Sequence, residues 1–170
     1  MIAVIHKGSD FGHAAAYLFG PGERGEHVDP HVVAGGSVLL GDPRGRDWIA
    51  DMRLCAGLRP GVSRPVWHCS LRAAPQDPPL DDPAWAAVAG EFVAALGLAR
   101  HPWVAVRHGG RHVHVLAGRV NAFGEVWRDS RDYARAMAAV RVIERDHGLV
   151  TVEGPGRLWA ARGGRAQSAG

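Results

Sequence analysis

The stretch from Trp103 to Asn121 restricts the possible folds more than any other part of this chain. His112 and His114 alternate with Val113 and Val115. A repeat of two is the period of a β-strand, which sends both imidazoles to one face and both valines to the other. His108 lies just upstream, across Gly109-Gly110-Arg111. Strand signals on both sides of that glycine pair predict a hairpin. Its loop length decides the chemistry. A loop of two residues pairs His108 with Arg111 and turns its ring away from His112. A loop of three, Gly109 to Arg111, sets His108 opposite His112 and gathers all three rings on one face. Glycine is usual at the last position of such a loop, where this chain has Arg111. The second register predicts a metal site that leaves coordination positions open for a substrate. Imidazole donors suit manganese, cobalt, nickel, copper or zinc better than magnesium, which prefers oxygen.

The elements around this hairpin alternate. Residues 1–7 are expected to form a strand. Ser9 is the expected cap of a short helix through Leu18, ended by Gly20-Pro21-Gly22. The glycine-rich segment Glu23 to Arg46 reads as irregular, with short extended pieces at Val32-Val33 and Val38-Leu40. Trp48 to Leu58 reads as a helix, Pro65 to Arg72 as a strand and Pro75 to Pro83 as a loop. A helix follows over Ala84 to Leu98. Trp103–His108 and Arg111–Asn121 are the hairpin strands, with Glu125-Val126-Trp127 as a further extended piece. Asp129 is the expected cap of a long helix that Gly148 stops, with Tyr133 on its inward side. A last strand is expected at Leu149–Val152, and residues 153–170 read as a flexible tail. The pattern predicts one α+β domain over residues 1–152, an antiparallel or mixed sheet with helices packed on its faces.

At 170 residues the chain is long enough for a substantial core. No stretch approaches the length of a membrane span, and the opening residues are too short and polar for a signal peptide. Cys55 and Cys69 make no disulfide framework. These features predict a reduced, cytoplasmic protein. The net charge is +3, and Lys7 is the only lysine among 20 basic residues. Arginine suits bidentate phosphate recognition. A GC-rich genome would favour the same usage, so bulk charge assigns no partner.

On the first predicted helix, Phe11, Ala15 and Leu18 form an apolar stripe. Tyr17 falls off it, beside Asp10, His13 and Ala14. Tyr17-Leu-Phe-Gly-Pro-Gly, followed by Glu26-His27-Val-Asp29-Pro30-His31-Val-Val-Ala34, resembles the first motif of plasmid mobilisation relaxases, particularly their actinobacterial branch. His68-Cys-Ser70-Leu-Arg72 and the following Trp85 helix resemble the middle section. Val104 through Val115 is similar to the histidine motif, and Tyr133 through Leu149 to the closing helix. The pieces stand in the family's order over most of residues 1–152.

The resemblance implies the HUH-endonuclease fold, an antiparallel sheet with paired histidines on a central strand and a nucleophilic tyrosine on a nearby helix. It implies nicking of single-stranded DNA at a plasmid transfer origin. Tyr17 would be the nucleophile, leaving a 5′-phosphotyrosine and a free 3′-hydroxyl. His108, His112 and His114 would hold a divalent ion, manganese, magnesium or another transition metal. Many relaxases carry an acid in or beside the histidine motif. Here Gly109, Gly110 and Arg111 stand instead, which leaves Asp29, Glu26 and His31 as candidate bases. Ser70, Arg72, Arg111 and Arg119 are candidate DNA contacts, together with Arg107 and Arg128. An accessory relaxosome protein is a possible partner. Two other readings stay open: a binding module for single-stranded DNA that no longer cuts, and another metal-dependent phosphoesterase or HUH enzyme such as a replication initiator.

Overall fold

The computed structural model describes residues 1–22 and 27–152. Five strands form one sheet: β1 (Ile2–Gly8), β2 (His31–Gly36), β3 (Val66–Arg72), β4 (Trp103–His108) and β5 (His112–Gly118). The helices are α1 (Phe11–Phe19), α2 (Trp48–Gly57), α3 (Asp82–Ala95) and α4 (Asp132–Asp146). The strand order is β1-β3-β5-β4-β2, and every ladder is antiparallel. The fold is therefore α+β as expected, and among the described residues the sheet has no parallel pair.

β5 lies at the centre of the sheet and is buried along its whole length. Its alternation serves two faces. Val113, Val115 and Ala117 join Trp67, Cys69, Leu71 and Ala105 in a core covered by α3 and α4. Leu116 joins Val66, Val104 and Val106 on the other face, beneath Phe11, Ala15 and Leu18 of α1 and Trp48 and Met52 of α2. Each fully buried large apolar side chain contributes about 1.5–3 kcal/mol, so the two helical layers clamp the central strands firmly. The stripe expected on the first helix is the buried stripe of α1.

The hairpin takes the register that places His108 opposite His112. Gly109, rather than the last loop residue, adopts the left-handed backbone, at φ 50°. Position 111 thus escapes the conformation that an arginine would resist.

Several local expectations are corrected. Asp10, not Ser9, caps α1, its carboxylate accepting from the His13 N–H. Val38–Leu40 forms no strand, and Glu125–Trp127 contributes a single bridge between Val120 and Val126. Asp129 does not cap α4, because its carboxylate binds Lys7 at 2.7 Å and Arg119 at 2.8 Å. The helix starts three residues later, after Arg131 turns through φ 53°. Tyr133 is 42% exposed and outside the core. Leu149–Val152 is not a strand. Gly148 turns the chain, the Leu149 N–H bonds the Glu144 carbonyl, and the Val150 N–H bonds the Asp77 carboxylate. Residues 153–170 lie outside the described residues.

Candidate metal centre and its neighbouring tyrosine

The period of β5 and the hairpin register bring His108, His112 and His114 onto one face. All three are buried, between 0% and 5% exposed. Ring centroids lie 4.4 Å apart for His108–His114 and 5.2 Å apart for His108–His112 and His112–His114. The loop after α1 adds a fourth imidazole. His27 lies with its ring 3.9 Å from that of His108, and the four residues offer ligand atoms all within 4.8 Å of one another.

Hydrogen bonding sets the direction of these rings. His27 Nδ1 lies 3.2 Å from the Tyr17 carbonyl and 3.1 Å from the Gly20 carbonyl. Carbonyl oxygens only accept, so Nδ1 carries a proton, which leaves Nε2 as the His27 atom that could bind a cation. On β3, His68 Nε2 lies 2.7 Å from His114 Nδ1. His114 Nε2 and both ring nitrogens of His108 are buried without a hydrogen-bond partner. Buried polar atoms normally find partners, so nitrogens left bare in the middle of a histidine cluster fit a bound cation. Burial, then the neighbouring His27 and His112, pushes His108 down to about 3. Burial lowers His68 to about 3 as well, with His6 and His27 adding to it, and depresses His114 further still. His68, His108 and His114 are thus neutral at pH 7, the form in which a histidine ligates metal. Four imidazoles favour a transition metal over magnesium.

Tyr17 lies on the last turn of α1, off the buried stripe and 43% exposed. Its ring presents within 5.0 Å of His27, 6.0 Å of His68 and 6.1 Å of His114, centroid to centroid. A cleft of about 640 Å³ opens beside it, lined by His6, Asp10, His13, Tyr17 and His68 among others. The phenol therefore stands between the histidine cluster and a solvent-accessible groove.

Of the other expected site residues, Ser70 and Arg72 share the histidine face, Ser70 opposite His114 and Arg72 opposite His112. Arg72 is exposed and Ser70 half-buried. Arg111 uses its guanidinium on the carbonyls of Ala74 and Asp77, at 2.9 and 3.0 Å, and so braces the hairpin loop. Arg119 binds the Arg64 carbonyl and Asp129. Arg107 pairs with Asp82, and Arg128 is exposed. Asp29 binds Arg44 at 2.6 Å, which holds its carboxyl below the usual range and weakens it as a base. His31 Nδ1 donates to the Asp29 carbonyl, and its Nε2 lies 3.1 Å from Asp82. Glu26 lies outside the described residues. Trp67, Trp103 and Trp127 are buried in the core, so none offers a face for base stacking.

Two residues that the structure places at the histidine cluster escaped the spacing argument. His27 stands alone in a glycine-rich loop with no periodicity to mark it, although it lies within the first resembling motif. His68 lies within the second. Its alternation with Ser70 was visible, but its partner is 46 residues away.

Residues 27–149 match the family model described as Relaxase: MobA/VirD2-like, nuclease domain. No curated protein matches, and no solved structure matches.

Proposed function

This chain belongs to the MobA/VirD2-like relaxase family, and on that premise we propose that it nicks single-stranded DNA at a plasmid transfer origin with Tyr17 as the nucleophile. The observation that carries this reading is the set of bare, buried ring nitrogens of His108 and His114 beside a half-exposed phenol.

His27, His108, His112 and His114 would hold a divalent cation, manganese fitting the donors better than magnesium. Such an ion supplies positive charge against the non-bridging oxygens of a phosphodiester, where negative charge grows in the transition state. Tyr17 Oη forms a bond to phosphorus, and the bond from phosphorus to the 3′ oxygen breaks. The products are a 5′-phosphotyrosine and a 3′-hydroxyl, which takes up the proton balancing the one the phenol gives up. Because one ester replaces another, the 3′-hydroxyl can reverse the step and transfer or reseal the strand. Ser70 and Arg72 border the cluster on β3 and are the proposed contacts to the strand. Arg111 and Arg119 support the loops around it, since their guanidinium groups bind protein carbonyls and a carboxylate. In this reading the chain acts in the cytoplasm, where an accessory protein opens the duplex. Among the described residues no helix is long and apolar enough to cross a membrane.

The test is incubation with labelled single-stranded oligonucleotides carrying the transfer-origin sequence, with Mn²⁺ or Mg²⁺. A covalent protein–DNA band that Tyr17→Phe abolishes is the expected result. Tight binding without an adduct, or multiple-turnover hydrolysis without one, would overturn it.

A further inference from the structure

His68 and His114 are diagonal neighbours on one face of the β3–β5 ladder, His68 standing opposite Leu116, and their Nε2 and Nδ1 atoms lie 2.7 Å apart with both residues less than a tenth exposed. Between two neutral imidazoles, one nitrogen donates and the other accepts. If His68 donates, the proton of His114 must sit on Nε2, because a neutral ring carries only one. That would be a buried N–H without an acceptor, aimed into a cluster of imidazoles, and an unsatisfied buried donor is destabilising. If His114 donates instead, its Nε2 keeps a bare lone pair at the same place. Nε2 of His114 has no hydrogen-bond partner.

We infer that His68 is a positioning residue for the metal centre: it accepts the His114 Nδ1–H, fixes that ring's tautomer and rotation, and so points the Nε2 lone pair at the cation. This rests on the metal-centre reading above. Carboxylates and backbone carbonyls commonly hold a ligating histidine in this way. Here an imidazole does it, from the strand next to the ligand strand. The same bond occupies His68 Nε2, so that nitrogen is not free to take the Tyr17 proton, although the two rings lie 6.0 Å apart. The rings of His68 and His114 are nearly parallel, 22° between planes, a geometry that alignment along one hydrogen bond permits. His68 also lines the cleft beside Tyr17, so the positioning group separates the open groove from the metal ligand.

The experiment compares the wild type with His68→Leu, which removes the acceptor, and His68→Gln, whose amide oxygen can restore it. Mn²⁺ and Co²⁺ affinity is measured by titration calorimetry, and the ring tautomer of His114 by long-range ¹H–¹⁵N spectra of the metal-free protein. The expected results are a loss of about 10- to 100-fold in affinity for His68→Leu, recovery of most of it in His68→Gln, and a wild-type His114 protonated on Nδ1. Wild-type His114 protonated on Nε2 would overturn the proposal, and that measurement stands even if His68→Leu does not fold. Affinity in folded His68→Leu within twofold of wild type would overturn it as well. Absence of metal binding by the wild type would instead sink the metal-centre reading, leaving the tautomer to judge His68.

Discussion

Replacing His108 by leucine should make the metal-free protein more stable while weakening metal binding. His108 is fully buried, and neither ring nitrogen has a hydrogen-bond partner. The neutral ring therefore hides one donor and one acceptor from water. Each unsatisfied buried group costs about 1–3 kcal/mol. The Leu18 carbonyl is close enough to favour the protonated ring slightly, which offsets part of one of them. Counting between one and two such groups, and allowing for imperfect packing of leucine against the adjacent His27 ring, a gain of about 2 kcal/mol is expected. In a domain of this size that corresponds to a rise in Tm of roughly 4–8 °C. The assay is thermal unfolding of wild type and His108→Leu, with chelator and with Mn²⁺. Metal should raise the wild-type Tm by more than the variant's, because the native variant keeps three of the four imidazoles. A variant that is less stable than wild type in chelator would refute the reasoning: those nitrogens would then be satisfied in the metal-free protein. A variant stabilised by metal as strongly as the wild type would show that His108 is not a ligand.

Acid should destabilise the metal-free protein from the histidine cluster before its carboxylates respond. His108 and His68 are held at about 3 in the folded state against an ordinary value near 6.5. Between these pH values the unfolded chain binds more protons, so stability falls as pH drops below about 6.5, each ring adding a slope of up to about 1.4 kcal/mol per pH unit. Urea midpoints that stay constant between pH 7.5 and 5.5 would contradict this. Gly109→Ala should cost about 1–2 kcal/mol, because an L side chain resists the left-handed backbone at φ 50°; chemical denaturation checks it, and an unchanged midpoint would mean that the loop relaxes freely. Leu116→Ala should cost about 2–5 kcal/mol, because Leu116 is fully buried beneath α1 and α2. It should also weaken Mn²⁺ binding in calorimetry, since it stands two residues along β5 from His114.

Much of the hairpin was legible because a strand has a strict two-residue period. Once His108 and His112 were set across a three-residue loop, every side chain of β4 and β5 was assigned a face. α1 was legible for a similar reason: Phe11, Ala15 and Leu18 repeat at helical spacing, which left Tyr17 on the open side. Capping was less legible. Ser9 and Asp10 are adjacent and both capable caps, and only the backbone path decides which carboxylate or hydroxyl meets the free N–H groups. Asp129 had the right chemistry for a cap, but Lys7 of β1 and Arg119, just past the end of β5, claimed it. The expected last strand failed because Glu144 and Asp77 accept its first N–H groups before any strand can.

From the order of residues alone came the α+β class, the common face of His112 and His114, and the resemblance that pairs the histidines with Tyr17, because short-range periodicity determines where neighbouring side chains point; the hairpin register that brings His108 to that face was decided by the structure. Tertiary structure alone decided that His27 reaches the cluster from an irregular loop, that His68 turns toward His114, and that Arg111, Arg119 and Asp29 are engaged with the protein itself. Those contacts join residues far apart in the chain. Competition among many possible partners, settled only when the layers pack, determines them.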